Sequence, residues 1–182
     1  MSDLPEDNAA THGPAGRLHW IDSAGGPLVV VPATALSAWR GAADGFDPDD
    51  LDTWGDYGRA CAVEGYAGVV QVGDAEALIL ADEPATTTYL PERRLFVRWI
   101  FADSEAEVVR LVPDAVDRAD WEDAGSWTTT GPAELFDAAL SGDEAEPTGH
   151  LRVEVEPGTY RLRTARVEIG DATTLGLVHL AR

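Results

Sequence analysis

The sequence predicts a single compact α+β domain, mainly antiparallel β-sheet with two or three short helices. Three observations predict it. A chain of 182 residues is long enough to bury a proper core and short enough for one domain. Over residues 59–101, and again over 151–180, short apolar runs alternate with turn residues, the pattern of successive strands. The helical signals are brief, each opened by a Pro or a capping residue or closed by a Gly within a few turns.

Residues 1–17 mix Pro, Asp, Asn and Gly without periodicity, which predicts a disordered tail ahead of a domain spanning 18–182. A short strand at 18–21 leads into the turn Gly25-Gly26-Pro27, where glycine admits positive φ and proline fixes the next residue. The glycine pair lacks the spacing and the Lys-Ser/Thr of a phosphate loop, and it runs into an apolar strand at 28–31 instead of a helix. A helix is expected from 33 to 40, after Pro32 and before Gly41, with Leu36 and Trp39 on its inner face. Strands follow at 59–63, 68–72, 77–81, 86–90 and 95–102, with a hairpin turn at Gly73-Asp74.

In the last of these, Leu95, Val97, Trp99 and Phe101 point one way and Phe96 and Ile100 the other, so only Arg98 interrupts a strand apolar on both sides. Such a strand is central. A guanidinium there is either a ligand-binding cation or a structural one that snorkels or finds a partner, because an unpaired buried charge is costly. Over 103–116, Ser104 followed by Glu107 fits a capping box and favours a helix, although Val108, Val109, Leu111 and Val112 tolerate a strand. Trp121 and Trp127 fall in a stretch rich in Asp, Gly and Thr, expected as a loop with the indoles as lids on the core. A further short helix is expected from Pro132, with Leu135, Phe136, Ala139 and Leu140 as its stripe and Gly142 as its stop. Leu151, Val153 and Val155 alternate with charges and, across a turn at Pro157-Gly158, pair with a strand through Tyr160 and Leu162, setting Glu154 opposite Arg161. Buried parity switches between Thr164 and Val167, which predicts a bulge or a strand end. A strand at 174–180 closes the sheet.

One set of motifs is distinctive. Trp20, Gly25-Gly26-Pro27, Trp39-Arg40-Gly41, Asp56-Tyr57, Arg59-Ala60-Cys61 and Gly68-Val69-Val70 occur in this order, and Leu78 through Pro84 and Phe96-Val97-Arg98-Trp99 continue it. Over residues 20–101 this order resembles the immunity protein 21 family of bacterial polymorphic toxin systems. The resemblance implies a non-enzymatic binding role, with a cognate protein toxin as partner.

Charge is the second strong signal. Against 33 Asp and Glu stand 13 basic residues, all Arg, for a formal net charge of −20. Such a field repels nucleic acid and anionic membranes and steers encounters with a basic partner. Composition alone fits solubility or coding bias equally well. Together with the resemblance it points to a basic toxin, and nucleases, whose clefts hold phosphates, are a class that fits. No apolar run reaches the length of a membrane span and the N-terminus lacks a basic-then-apolar leader, which predicts a cytoplasmic protein.

The densest acidic segment, residues 44–56, is the candidate interface: Asp47, Asp49, Asp50, Asp52, Trp54 and Asp56, with Phe46 and Tyr57 as further aromatic anchors. Trp54 and Tyr57 could equally fold back onto the core. Calcium is the rival reading of this loop. An EF-hand starting at Asp47 places Leu51 at a ligand position, Asp52 at the obligate Gly and Gly58 at the closing Glu, so no cation cofactor is expected. No other cofactor or metal is expected either: the lone Cys61 reads as a small buried hydrophobe, and the four histidines show no ligand spacing. Two other function classes remain open from the residues: a regulatory or small-ligand-binding module around Arg98 and the tryptophans, and a Cys61 thiol enzyme assisted by His19 or His179.

Overall fold

The computed structural model describes residues 17–143 and 149–182; all but Arg17 of the tail expected to be disordered lies outside the described residues. Ten strands form two antiparallel sheets. Sheet I contains β1 (Leu28–Pro32), β2 (Ala67–Val72), β3 (Ala75–Leu80), β7 (Ala133–Asp137) and β8 (Leu151–Val153), in the order β2-β3-β1-β7-β8. Sheet II contains β4 (Thr86–Leu90), β5 (Leu95–Phe101), β6 (Glu122–Thr129), β9 (Gly158–Ile169) and β10 (Thr173–Ala181), in the order β4-β5-β10-β9-β6. Among the described residues, two α-helices, α1 (Asp56–Cys61) and α2 (Glu105–Arg118), and short 3-10 turns complete the single domain. Among the described residues no helix is long and apolar enough to cross a membrane.

Alternation along the strands sorts side chains into three cores and hence four layers. Leu28, Val30, Leu78, Leu80 and Leu135 of sheet I meet Phe96, Trp127, Tyr160, Leu162 and Leu180 of sheet II in the central core. On the outer face of sheet I, Val29, Val31, Ile79 and Phe136 pack under Trp39 and Ala60. On the outer face of sheet II, Leu95, Val97, Val167, Leu175 and Leu177 pack under Val108, Val112 and Ala115 of α2. Each aliphatic side chain so buried contributes about 1.5–3 kcal/mol, so the two outer layers stabilise the fold as the inter-sheet core does.

The capping box resolves 103–116 as helix: Ser104 Oγ accepts the Glu107 N–H at 3.2 Å, and Glu107 Oε2 accepts the Asp103 N–H at 3.2 Å. β1, the β2–β3 hairpin, β4, β5 and β10 form where the sequence predicts strands.

Elsewhere the structure differs. Residues 132–140 form β7 and the turn after it, not a helix: Leu135 and Phe136 face opposite cores, and a strand buried on both sides carries a continuous apolar run that mimics a helical stripe. Residues 59–63 belong to α1 and its exit, not a strand, because Gly55 at φ 72° redirects the chain and Tyr57 and Ala60, three apart, seat one helical turn on sheet I. The residues from 122 onward are β6, in which Trp127 is wholly buried and its indole N–H donates to the Glu76 carbonyl at 2.9 Å, fastening sheet II to sheet I. The 18–21 strand reduces to a bridge between Ile21 and Thr87. Leu151 and Tyr160 lie in different sheets, so Pro157-Gly158 is a corner between layers and not a hairpin turn. Glu154 pairs with Arg152 at 3.0 Å and Arg161 pairs with Asp123. The parity switch in β9 needs no bulge, since its register with β10 is unbroken; Tyr160 and Leu162 face the central core, and Ala165 and Val167 face α2.

Arg98, 2% exposed, takes the structural role. Its guanidinium donates to the carbonyls of Ala81 at 2.7 Å, Asp82 at 3.3 Å and Glu83 at 2.8 Å, bracing from sheet II the loop that leaves β3 in sheet I. Its cross-strand neighbour is Gly176, where an added Cβ would stand 3.2 Å from Arg98 Cβ, so the absent side chain makes room for the arginine. Burial pushes the Arg98 pKa down to about 10, with the charges of Glu83 and Asp82 acting the other way. The cost of burying the cation, whose Nε finds no partner, is therefore real and is offset by the three carbonyls. Arg98→Met keeps the volume and orphans those carbonyls; we expect it to lose about 2–3 kcal/mol in urea unfolding. A variant of unchanged stability would show that the brace is dispensable.

Candidate partner-binding site

The candidate surface is built on α1, which closes the acidic loop on one side and walls a cleft on the other. Ala42 and Gly55 form a bridge at the base of the loop, where the Ala43 N–H donates to the Trp54 carbonyl at 3.0 Å. Asp56 then clasps the base, accepting the Arg40 N–H at 2.7 Å and an ion pair from Arg59, whose other nitrogen donates to the Gln71 carbonyl at 2.7 Å.

Within the loop, Asp47 Oδ1 accepts the Asp49 N–H at 3.0 Å and Asp50 Oδ1 accepts the Asp52 N–H at 3.1 Å, two turns closed by aspartate side chains. Thr53 Oγ1 accepts the Asp47 N–H at 2.8 Å and donates to the Asp50 carbonyl at 2.7 Å. The Trp54 indole N–H donates to the Asp47 carbonyl at 2.6 Å, and its ring lies between Phe46, at 4.9 Å between centroids, and Tyr57, at 5.8 Å and near-parallel. Offset aromatic packing of this kind adds about 0.5–1.5 kcal/mol per pair beyond area burial.

One loop thus gathers all six candidate residues, but with different tasks. Asp47, Asp50 and Asp56 spend their carboxylates on the loop itself, and Trp54 is half-buried as its pillar. The exposed carboxylates of Asp49 and Asp52 hold no hydrogen bond or ion pair among the described residues, and so remain available to a partner. Beside them Phe46 is 44% and Leu51 42% exposed; Leu140, 42% exposed, adjoins the loop base, where the Ala42 N–H donates to the Ala139 carbonyl at 3.0 Å. Leu51 and Leu140 were invisible as surface residues in the sequence, Leu140 because it completed an apparent helical stripe.

The other side of α1 opens on a cleft of about 440 Å³, lined among others by Gly26, Pro27, Tyr57, Cys61, Glu64 and Asp82. The glycine turn is shaped for Tyr57: a Cβ on Gly26 would lie 2.2 Å from its hydroxyl oxygen. Asp137, at the end of β7, holds the turn through the Ala24 N–H at 2.9 Å and the following chain through the Ala139 N–H at 2.9 Å. Cys61 is half-buried in the wall, not sealed in the core as its residue type suggests. Burial pushes its thiol up, against a hydrogen bond from Tyr57, and burial followed by the neighbouring Cys61 pushes Tyr57 up to about 12. The thiol is thus held in the form that is a poor nucleophile, and neither His19 nor His179 lines the cleft.

Part of the motif set, scattered through the first half of the chain, therefore meets at one place. Gly25, Gly26, Pro27, Tyr57, Ala60, Cys61, Asp82 and Pro84 line the cleft, while Arg40, Asp56 and Arg59 form the clasp. The profile of immunity protein 21 matches residues 19–173. The chain belongs to the immunity protein 21 family. The match runs past the 20–101 stretch in which the motifs are dense and takes in α2, β6 through all of β9, and the first residue of β10. Membership makes this a toxin-neutralising immunity protein and implies a cognate toxin as its partner. No curated protein and no solved structure matches the chain.

Gly58 tests how tightly the loop is pressed onto α1 in this immunity protein. A Cβ there would lie 2.1 Å from the Leu51 carbonyl oxygen and 2.8 Å from Trp54 Cβ. Alanine is favoured over glycine in a helix by about 1 kcal/mol. We nevertheless expect Gly58→Ala to destabilise by about 2 kcal/mol in urea unfolding and to shift tryptophan emission, because backbone must move. A variant as stable as the parent would contradict the packing described.

Proposed function

We propose that this immunity protein neutralises its toxin in the cytoplasm by direct, non-catalytic binding that occludes the toxin's active cleft. The acidic loop makes the contact, through Asp49, Asp52, Phe46 and Leu51, with Trp54 as its support and Asp47, Asp50 and Asp56 holding its shape. The carrying observation is the division of labour in that loop: three carboxylates fix it while two face solvent beside exposed apolar side chains. A surface already fixed loses little freedom on binding, so more of its contact energy appears as affinity.

The chemistry of the partner follows from the charge. A molecule carrying −20 attracts a basic protein over several ångströms, and the exposed aspartates aim that attraction at the loop. A nuclease toxin fits, since the cleft that holds its phosphates is basic. Once docked, Phe46, Leu51 and Leu140 leave water, and such anchors govern how slowly the complex separates.

The test uses the polypeptide encoded beside this gene as the toxin and measures association and dissociation at several salt concentrations. With Asp49→Asn/Asp52→Asn we expect association to slow by about 3–10-fold at low salt and its salt dependence to flatten, with dissociation nearly unchanged. With Phe46→Ala/Leu51→Ala we expect dissociation to speed up by about tenfold or more. Association and dissociation unchanged in both variants would place the interface elsewhere.

A further inference from the structure

A second place in the molecule has the opposite electrostatics. The helix α2 covers only part of the outer face of sheet II. Beyond its last turn lies a pocket of about 280 Å³ lined by Arg93, Leu95, Val116, Trp121, Arg163 and His179. Leu95, His179 and Arg163 stand side by side in register on β5, β10 and β9, on the same face. The Arg163 guanidinium sits over the Trp121 ring at 5.4 Å from its centroid, and the His179 ring is 5.8 Å from it.

Seven of the 13 arginines pair with carboxylates. Arg93, Arg94 and Arg163 hold no ion pair among the described residues, although the chain carries 33 acidic residues. The nearest carboxylate in register with Arg163 is Asp123, and that group is engaged by Arg161 and the Gly125 N–H. Arg94 is also the one non-glycine residue with positive φ, 48°, among the described residues. That conformation closes the turn between β4 and β5, where the Arg94 N–H donates to the Pro91 carbonyl at 3.1 Å. Burial, then Arg94 and Arg163, depress the His179 pKa below the usual imidazole value. Arg93 and Arg163 thus line one pocket whose lining holds no carboxylate, a local gap in the charge balance that an anion would fill.

We propose that this pocket binds a small organic anion, with a carboxylate or phosphate head between Arg93 and Arg163 and a planar apolar body against Leu95 and Val116. Guanidinium groups suit either head because their forked donors match paired oxygens. The volume, just under the roughly 300 Å³ at which ligand pockets begin, admits one ring and its head group. His179 at the back serves as a neutral hydrogen-bonding partner. The proposal is independent of toxin binding, since no residue of the acidic loop lines the pocket.

Benzoate, phenyl phosphate and the neutral benzyl alcohol serve as probes of the intact protein, read by calorimetry and by the His179 imidazole resonances. We expect one or both anions to bind with Kd of about 1 mM or tighter and to shift those resonances, and benzyl alcohol to do neither. The tighter anion names the head group. Arg93→Gln/Arg163→Gln, both at the surface or half-buried, should weaken that binding at least about tenfold. The parent protein's resonance shifts stand as a second test should that variant fold poorly. Failure of both anions to bind, equal binding of benzyl alcohol, or affinity unchanged in the double variant would overturn the assignment.

Discussion

Every central strand of this protein is covered on both faces, and the rest of the structure follows from that constraint. β1 and β7 lie between the inter-sheet core and the layer of Trp39 and Ala60; β5 and β10 lie between the same core and α2. Where a sheet face is covered, it cannot display binding residues along its strands. Recognition chemistry is left to the loops and to the places where a covering layer stops. The molecule has two such places of opposite charge: the acidic loop and cleft flanking the short helix α1, and the arginine-lined pocket beyond the end of α2.

The same constraint decides what was legible in the sequence. Strands bounded by turn residues, such as β2 and β3 around Gly73-Asp74, could be read directly, as could α2 from its Ser104 and Glu107 cap. β7 could not, because Leu135 and Phe136 are apolar for two different cores, and consecutive apolar residues carry no period that separates strand from helix. Nor could the pairing of β8 and β9, since Pro157-Gly158 reads as a hairpin turn whether the chain folds back in one sheet or crosses to the other. Six-residue α1 has too few positions to show a helical period; packing against sheet I makes it.

The candidate site was legible as a location and not as a mechanism. The density of aspartates and aromatics over 44–56 marks the loop. Only the hydrogen bonds reveal that Asp47, Asp50 and Asp56 build it while Asp49 and Asp52 face outward. Arg98 shows the same limit. Its isolation in an apolar strand flagged it in the sequence, but its three carbonyl partners come from a loop of the other sheet, and that distance along the chain hides the brace. Through it the core of sheet II sets the position of Asp82 and Pro84 at the rim of the cleft. The candidate surface is therefore tied to the packed interior at both ends, by the Asp56 clasp and by the Arg98 brace.

That a toxin docks on this surface is the central claim, and amide hydrogen exchange of the protein with and without its cognate toxin tests it most directly. Docking there requires protection concentrated in residues 41–65 and 81–84, with the outer face of sheet II unchanged. Protection confined to α2, β6 or β9, with the acidic loop exchanging as in the free protein, would contradict it.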